Sequence, residues 1–394
     1  MSASPSDGFI QLNGLASARM ESGIALLNAG APDALPEAIR YFDEAIEIRR
    51  RLPLAEVPGF RYGLAAGWIN RGDALARLGG LENLVEAVTS YTAAIELLKD
   101  APPDDDGSFV RRLAIAWTNR GLALEEQAEE NAWAEAQRSH QNAIDILSAA
   151  PRGADDKTDL VLAGAWVNLG NASLRFAGSA MVTETCVSTE QALRLLAKSE
   201  ARDATAAEAG LKARHVLCQA LVRLLAAADR DSDLERELVG KITDAVESAL
   251  SLARDWEKGG VSPFRPLATQ LFHLGVLAYE QHQPQFLGEF LVEHLNLGSV
   301  NGFSPSGDAW VSLAKQSLAR LRAGLRDCDF AALATPQGLR QLEILNEVRA
   351  VEERLEFAAH KEPRPSSSCS CSSLVLEEPG IEDEHEHENE RPVL

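Results

Sequence analysis

Apolar positions recur with a helical period through most of the chain. Between residues 36 and 51 they fall at Ala38, Phe42, Ala45 and Ile46, which share one helix face. The same face returns as Ala87, Tyr91, Ala94 and Ile95, then as Ala136, His140, Ala143 and Ile144, and more weakly as Thr185, Thr189, Ala192 and Leu193. Each step is 49 residues. Leu35, Leu84, Trp133 and Val182 stand ahead of these helices at the same step and are expected to plug the turn before each one. Pro53, Pro102 and Pro151 follow three of them, where a residue with fixed φ and no N–H stops a helix.

A second pattern alternates with the first. AAGWINRGDAL at 65–75 returns as AIAWTNRGLAL at 114–124 and AGAWVNLGNAS at 163–173, again 49 residues apart. Trp68, Trp117 and Trp166 keep the step, as do Asn70, Asn119 and Asn168, and Gly72, Gly121 and Gly170. Gly23 extends the glycine series backwards into a divergent first helix at Leu15–Ala29, where Arg19 and Glu21 stand at the tryptophan and asparagine positions. Leu64, Leu113 and Leu162 lie on a stretch ahead of each tryptophan, so the later first helices start near Arg61, Arg111 and Leu160. Each unit reads as helix, short turn, helix and polar connection; PPDDDGS (102–108) and PRGADDK (151–157) are two such connections. Self-similarity at a fixed period of this size is the sequence sign of a solenoid, in which each unit buries its apolar face only against its neighbours.

The organisation then changes. Residues 1–14 read as a flexible lead-in and 15–200 as about four helix pairs. Over 201–296 the strict period fails, but helices are predicted at 203–228, with Asp203 as N-cap, at 238–256 and at 266–281, with 285–295 as a partner for the last. LGVLAY near Gly275 looks like another first helix. Two further helices are expected within 297–360, at 308–327 and 337–360, with Asp308 as an N-cap. The tail, 361–394, carries PSSSCSCSS and EDEHEHENE with nine acidic residues against three basic ones; low hydrophobicity with like charge predicts disorder there.

The combination Trp117-x-x-x-Gly121 followed by Ala136-x-x-x-His140-x-x-Ala143, with a Leu169-Gly170 pair in the third unit, resembles the tetratricopeptide repeat. The resemblance covers 15–200 well and 203–296 loosely. It implies an all-α, right-handed superhelical solenoid of antiparallel helix pairs, with the first helix of each pair lining a concave groove that takes peptides or proteins. The family's period is about 34 residues, so longer first helices and connections are expected here. The groups of the family's carboxylate clamp are missing, since Ala66, Ile115 and Gly164 occupy the relevant positions.

The formal charge of −21 repels phosphate backbones and anionic lipid, so nucleic-acid and membrane binding are disfavoured and basic or neutral partners favoured. No apolar run reaches the ~18 residues of a membrane span, and the N-terminus lacks the marks of a secretory signal. Five cysteines, two of them in the tail, outline no disulfide framework, so a cytoplasmic protein with reduced thiols is expected.

Candidate chemistry is sparse. There is no phosphate loop, nucleophile elbow, metalloprotease helix or zinc-finger spacing, so neither enzyme activity nor a cofactor or metal is expected. His140 replaces Phe42 and Tyr91 in one slot and reads as a core histidine. His273, His282 and His294 lack metal-ligand spacing, and the Cys369/Cys371 and His385/His387 pairs suit a biased tail as well as a metal. The tryptophans are expected in the core between paired helices. Asn70, Asn119 and Asn168 are expected on the groove face. An amide donates and accepts at once, so a row of them can hold a peptide backbone, or equally bridge neighbouring repeats. Asp73, Arg77, Leu122, Glu126, Asn171 and Arg175 lie along the same face and differ from unit to unit, as variable readout or as a solvated face. The function expected is a non-catalytic scaffold for a peptide or protein segment. The alternative is a targeting module joined to a C-terminal effector or oligomerisation domain.

Overall fold

The computed structural model describes residues 5–29, 33–100, 107–150, 157–176, 181–256 and 262–283, with isolated positions beyond. The expected helices at 308–327 and 337–360 and the tail lie outside the described residues, as does most of 285–295. The described elements are all helical: α1 (Pro5–Ala29), α2 (Leu35–Arg49), α3 (Pro58–Leu78), α4 (Leu81–Leu98), α5 (Ser108–Gln127), α6 (Glu130–Ala149), α7 (Lys157–Phe176), α8 (Val182–Leu196), α9 (Ala204–Leu225), α10 (Asp233–Asp255) and α11 (Arg265–His282).

The chain divides into two compact units, with the boundary inside α7 between Asn168 and Leu169. In the first unit α1/α2, α3/α4 and α5/α6 form successive pairs; each second helix packs on the next first helix, and α1, α3 and α5 touch in sequence. In the second unit α8, α9, α10 and α11 pack in chain order, and α11 also meets α9. Sequential packing of neighbours is the arrangement of a helical solenoid.

The glycine series explains the fit within a pair. A Cβ added at Gly23 would lie 2.5 Å from the Phe42 ring, one at Gly72 would lie 2.6 Å from Tyr91, and one at Gly121 would lie 2.5 Å from His140. Each glycine is the notch for the bulky residue on the partner helix. Thr189 fills the equivalent slot opposite Gly170, where an added Cβ would lie 3.2 Å away, tight but less so than at the other three. Gly275 repeats the device with Phe290 at 2.5 Å, although the sequence period is lost there. Alanines fill the neighbouring interior positions: Ala65, Ala114 and Ala163 are fully buried, as are Ala45, Ala94 and Ala143. Fully burying a side chain the size of Phe42 stabilises by roughly 2–3 kcal/mol relative to leaving it in water.

A second device joins consecutive pairs. Arg77, in the last turn of α3, donates from Nη1 to the Leu27 carbonyl oxygen near the end of α1 at 3.0 Å. Arg223, in the last turn of α9, makes the same bond to the Leu174 oxygen of α7 inside the second unit. A guanidinium at a helix C-terminus satisfies an orphan carbonyl and opposes the negative end of the dipole. The bond ties the end of α9 to α7 as Arg77 ties α3 to α1.

The differences from the sequence reading lie at helix ends. The lead-in expected at 1–14 is helical from Pro5; proline is tolerated in the first turn, and Phe9 and Leu12 are partly buried, so the extra turns have packing to hold them. The first helices of later pairs start about one turn earlier than expected, at Pro58, Ser108 and Lys157. Leu84 and Trp133 sit inside the first turn of α4 and α6, whereas Leu35 and Val182 open α2 and α8. The N-cap at Asp203 is as expected, its carboxylate accepting from the Thr205 and Ala206 N–H groups. The next helix begins five residues earlier than expected, because Ser232 caps Glu235 N–H at 3.0 Å.

Candidate functional site

The first-helix row is positioned by the contacts of α1, α3 and α5. Asn119 of α5 reaches across to α3, donating from Nδ2 to Asp73 Oδ1 at 3.0 Å. Tyr91 of α4 donates its hydroxyl to the same oxygen at 2.7 Å. One carboxylate therefore ties three helices together. Burial raises its pKa to about 6, while Tyr91, the nearby Arg77 guanidinium and Asn119 act in the lowering direction. Burial and the Asp73 carboxylate push the Tyr91 phenol well above its usual value. Among the described residues the buried Asn119 Oδ1 atom has no partner.

The nine residues singled out from the sequence separate by exposure. Asn119, Asn168, Asp73 and Leu122 are buried. Asn70 and Asn171 are partly exposed, and Arg77, Glu126 and Arg175 are exposed. The structure joins Asp73 to Asn119 directly and sets Arg77 beside them. Asn171 and Arg175 belong to the second unit and the other seven to the first. Among the described residues Asn70 has no side-chain hydrogen-bond partner, which leaves both amide groups open to a ligand.

His140 is fully buried, in the slot of Phe42 and Tyr91, and its Nε2 lies 2.8 Å from Glu125 Oε1. Glu125 stands at the position of Ala76 one step earlier. A polar core residue has acquired its polar partner within the same helix pair. His282 Nδ1 lies 3.0 Å from Glu235 Oε1, and His294 Nδ1 donates to the Phe290 oxygen at 2.7 Å. Among the described residues no cluster of three or more metal-binding side chains occurs. Burial holds the Cys186 and Cys218 thiols protonated, with pKa values raised to about 11 and about 12. No described helix is long and apolar enough to cross a membrane.

The tryptophans correct the sequence reading. Trp68, Trp117 and Trp166 are partly exposed rather than enclosed, because the interior beside them is already filled by Ala65, Ala114, Ala163 and the glycine notches. Two of them carry a repeated bracket that the sequence reading missed. Arg71 places its guanidinium 5.9 Å from the Trp68 ring centre and reaches Asp43 Oδ1 at 2.7 Å, Ser90 Oγ at 2.8 Å and Glu86 Oε2 at 2.9 Å. Arg120 lies 5.8 Å from the Trp117 ring centre and reaches Thr92 Oγ1 at 3.2 Å, Ser139 Oγ at 2.7 Å and Glu135 Oε2 at 2.8 Å. Each bracket joins three consecutive helices. The available signal was the repeat of Arg at 71 and 120 with Glu-x-x-x-Ser at 86–90 and 135–139. Leu169 replaces the arginine in the third copy, and Ser188 there keeps the bond to the Glu184 oxygen of its own helix that Ser90 and Ser139 also make to Glu86 and Glu135. Around Trp117 a cavity of about 280 Å³ opens, lined by Thr92, Ile95, Glu96, Arg120, Glu135, Arg138 and Asn142.

No known family model matches the chain, and no curated protein matches it. Among solved structures it is similar to a "Circular tandem repeat protein with novel repeat topology and enhanced subunit contact surfaces". That match has 17% identity and a TM-score of 0.33 and covers 90% of this chain and 84% of the other. The chain is a helical repeat protein on the evidence of its own packing: pairs stacked in sequence, with the same notch and the same carbonyl bond used again.

Proposed function

We propose that the chain is a non-catalytic scaffold of tetratricopeptide-like helix pairs that binds a protein or peptide segment along the first-helix row of its first unit. The observation that carries this reading is a contrast. The interior is repeated step after step, while exposed Arg77 gives way to Glu126 at the same step. A fixed frame with an exchanged surface charge suits recognition of an extended partner by charge. Asn70 supplies the open amide of the row, able to donate to and accept from a peptide backbone. Asn119 acts from beneath, fixing α5 to α3 through Asp73. The acidic balance of the chain favours basic or neutral segments, and a cytoplasmic partner follows from the reduced thiols expected of it.

The test is site-specific photocrosslinking in native lysate. A p-benzoylphenylalanine replacement at Asn70 samples the first-helix row, and one at Thr89, exposed on α4, samples the second-helix side. Mass spectrometry should find a partner crosslinked through position 70 and absent at 89. Equal labelling at both positions, or labelling at 89 alone, removes the first-helix row as the binding surface.

A further inference from the structure

We infer that the Trp117 cavity is a docking site for one arginine side chain of a protein partner. It lies on the second-helix side of the first unit and is distinct from the row above. The reasoning rests on two copies of one frame. In the first copy Trp68 is flanked by Arg71 and also by Arg50, whose guanidinium stands 5.1 Å from the ring centre and pairs with Glu47 at 2.6 Å. The chain thus covers its own tryptophan with a guanidinium held by a carboxylate. One step on, Trp117, Arg120, Glu96 and Glu135 reproduce Trp68, Arg71, Glu47 and Glu86. Lys99 stands at the position of Arg50. It pairs with Glu96 at 2.5 Å, and among the described residues Arg120 is the one cation over the Trp117 ring. The space that the Arg50 guanidinium fills in the first copy is open in the second.

A planar, weakly hydrated guanidinium stacks on an indole better than the compact ammonium of lysine does, which explains why Lys99 does not close the site and what guest would. Glu96 lines the cavity and supplies the anion, as Glu47 does for Arg50, with the guest competing for it against Lys99. Glu135 is shared with Arg120 and also lines the cavity. Arg138, where the first copy has Thr89, is a second cation in the lining and opposes the guest, so it tunes the site down.

The test uses the full chain and a fluorescein-labelled peptide of three arginines spaced by glycine, read by anisotropy at low salt. Lysine and glutamate peptides of the same length serve as comparisons, and a thermal melt checks each variant. Lys99→Arg keeps the net charge and should close the site from within, weakening the arginine peptide by about ten-fold. Arg50→Lys also keeps the charge and should open the Trp68 ring, adding a second site. Arg138→Thr should tighten binding. Three results each overturn the inference: Lys99→Arg binding as the wild type does, the glutamate peptide binding as tightly as the arginine peptide, or Arg138→Thr weakening it. Non-specific attraction to an acidic chain would leave both charge-preserving variants unchanged, so it counts with the first of these.

Discussion

Asp73 offers the sharpest energetic prediction. Its carboxyl is buried, accepts from Tyr91 and Asn119 on one oxygen, and has a pKa raised from the ordinary 3.8 to about 6. An acid whose pKa rises on folding is held more tightly as the neutral form by the folded state. The cost of ionising it is therefore absent well below pH 3.8, grows as pH rises towards 6, and is complete above that. With each tenfold change in proton affinity worth a little over 1 kcal/mol, the cost is roughly 1–2 kcal/mol at pH 5 and roughly 3 kcal/mol at pH 8. Asp73→Asn removes the ionisation. The new amide can still accept from Tyr91, and its Nδ2 can donate to Asn119 Oδ1, which is buried and has no partner among the described residues. Urea unfolding followed by far-ultraviolet circular dichroism should show the variant more stable than the wild type at pH 8. Its advantage should be larger there than at pH 5, by roughly 1 kcal/mol. An advantage that is flat between the two pH values, or that shrinks as pH rises, would refute the assignment of a costly buried carboxylate.

Gly121→Ala should destabilise by about 1–3 kcal/mol, because its Cβ would lie 2.5 Å from the buried His140 ring. Gly240→Ala, with nothing within 4 Å of the added methyl, should instead gain roughly 0.5–1 kcal/mol, so the pair of thermal melts separates notch from propensity. His140→Ala leaves Glu125, 2% exposed, without its imidazole; a loss of roughly 3–5 kcal/mol in chemical unfolding is expected, with recovery when Glu125→Ala is added.

The helices and their order were legible in the sequence, because each is set by short-range spacing; that each glycine of the series receives a bulky residue of the next helix was visible only in the packed pairs. Gly72 and Tyr91 stand 19 positions apart, as do Gly121 and His140, a constant spacing that by itself fixes no contact. That His140 belongs to the interior was legible from its slot, whereas the partner it required, Glu125, was visible only once two helices were packed. Helix starts drifted by about a turn because capping is decided locally by side chains such as Ser232, against a weak periodic signal. The sequence marked Asn119 and Asp73 separately as groove residues. Only the seam between α3 and α5 joins them, since their bond spans 46 positions of chain. The tryptophans were misplaced for a related reason. Large apolar size argues for the interior, but the interior positions beside them are already taken by Ala65, Ala114 and Ala163, and the Arg71 and Arg120 brackets give Trp68 and Trp117 a lined surface instead. Periodicity determined which helices exist and how they alternate. Which side chains meet across them, and which face is left open at Trp117, was decided by the stacking of one pair on the next.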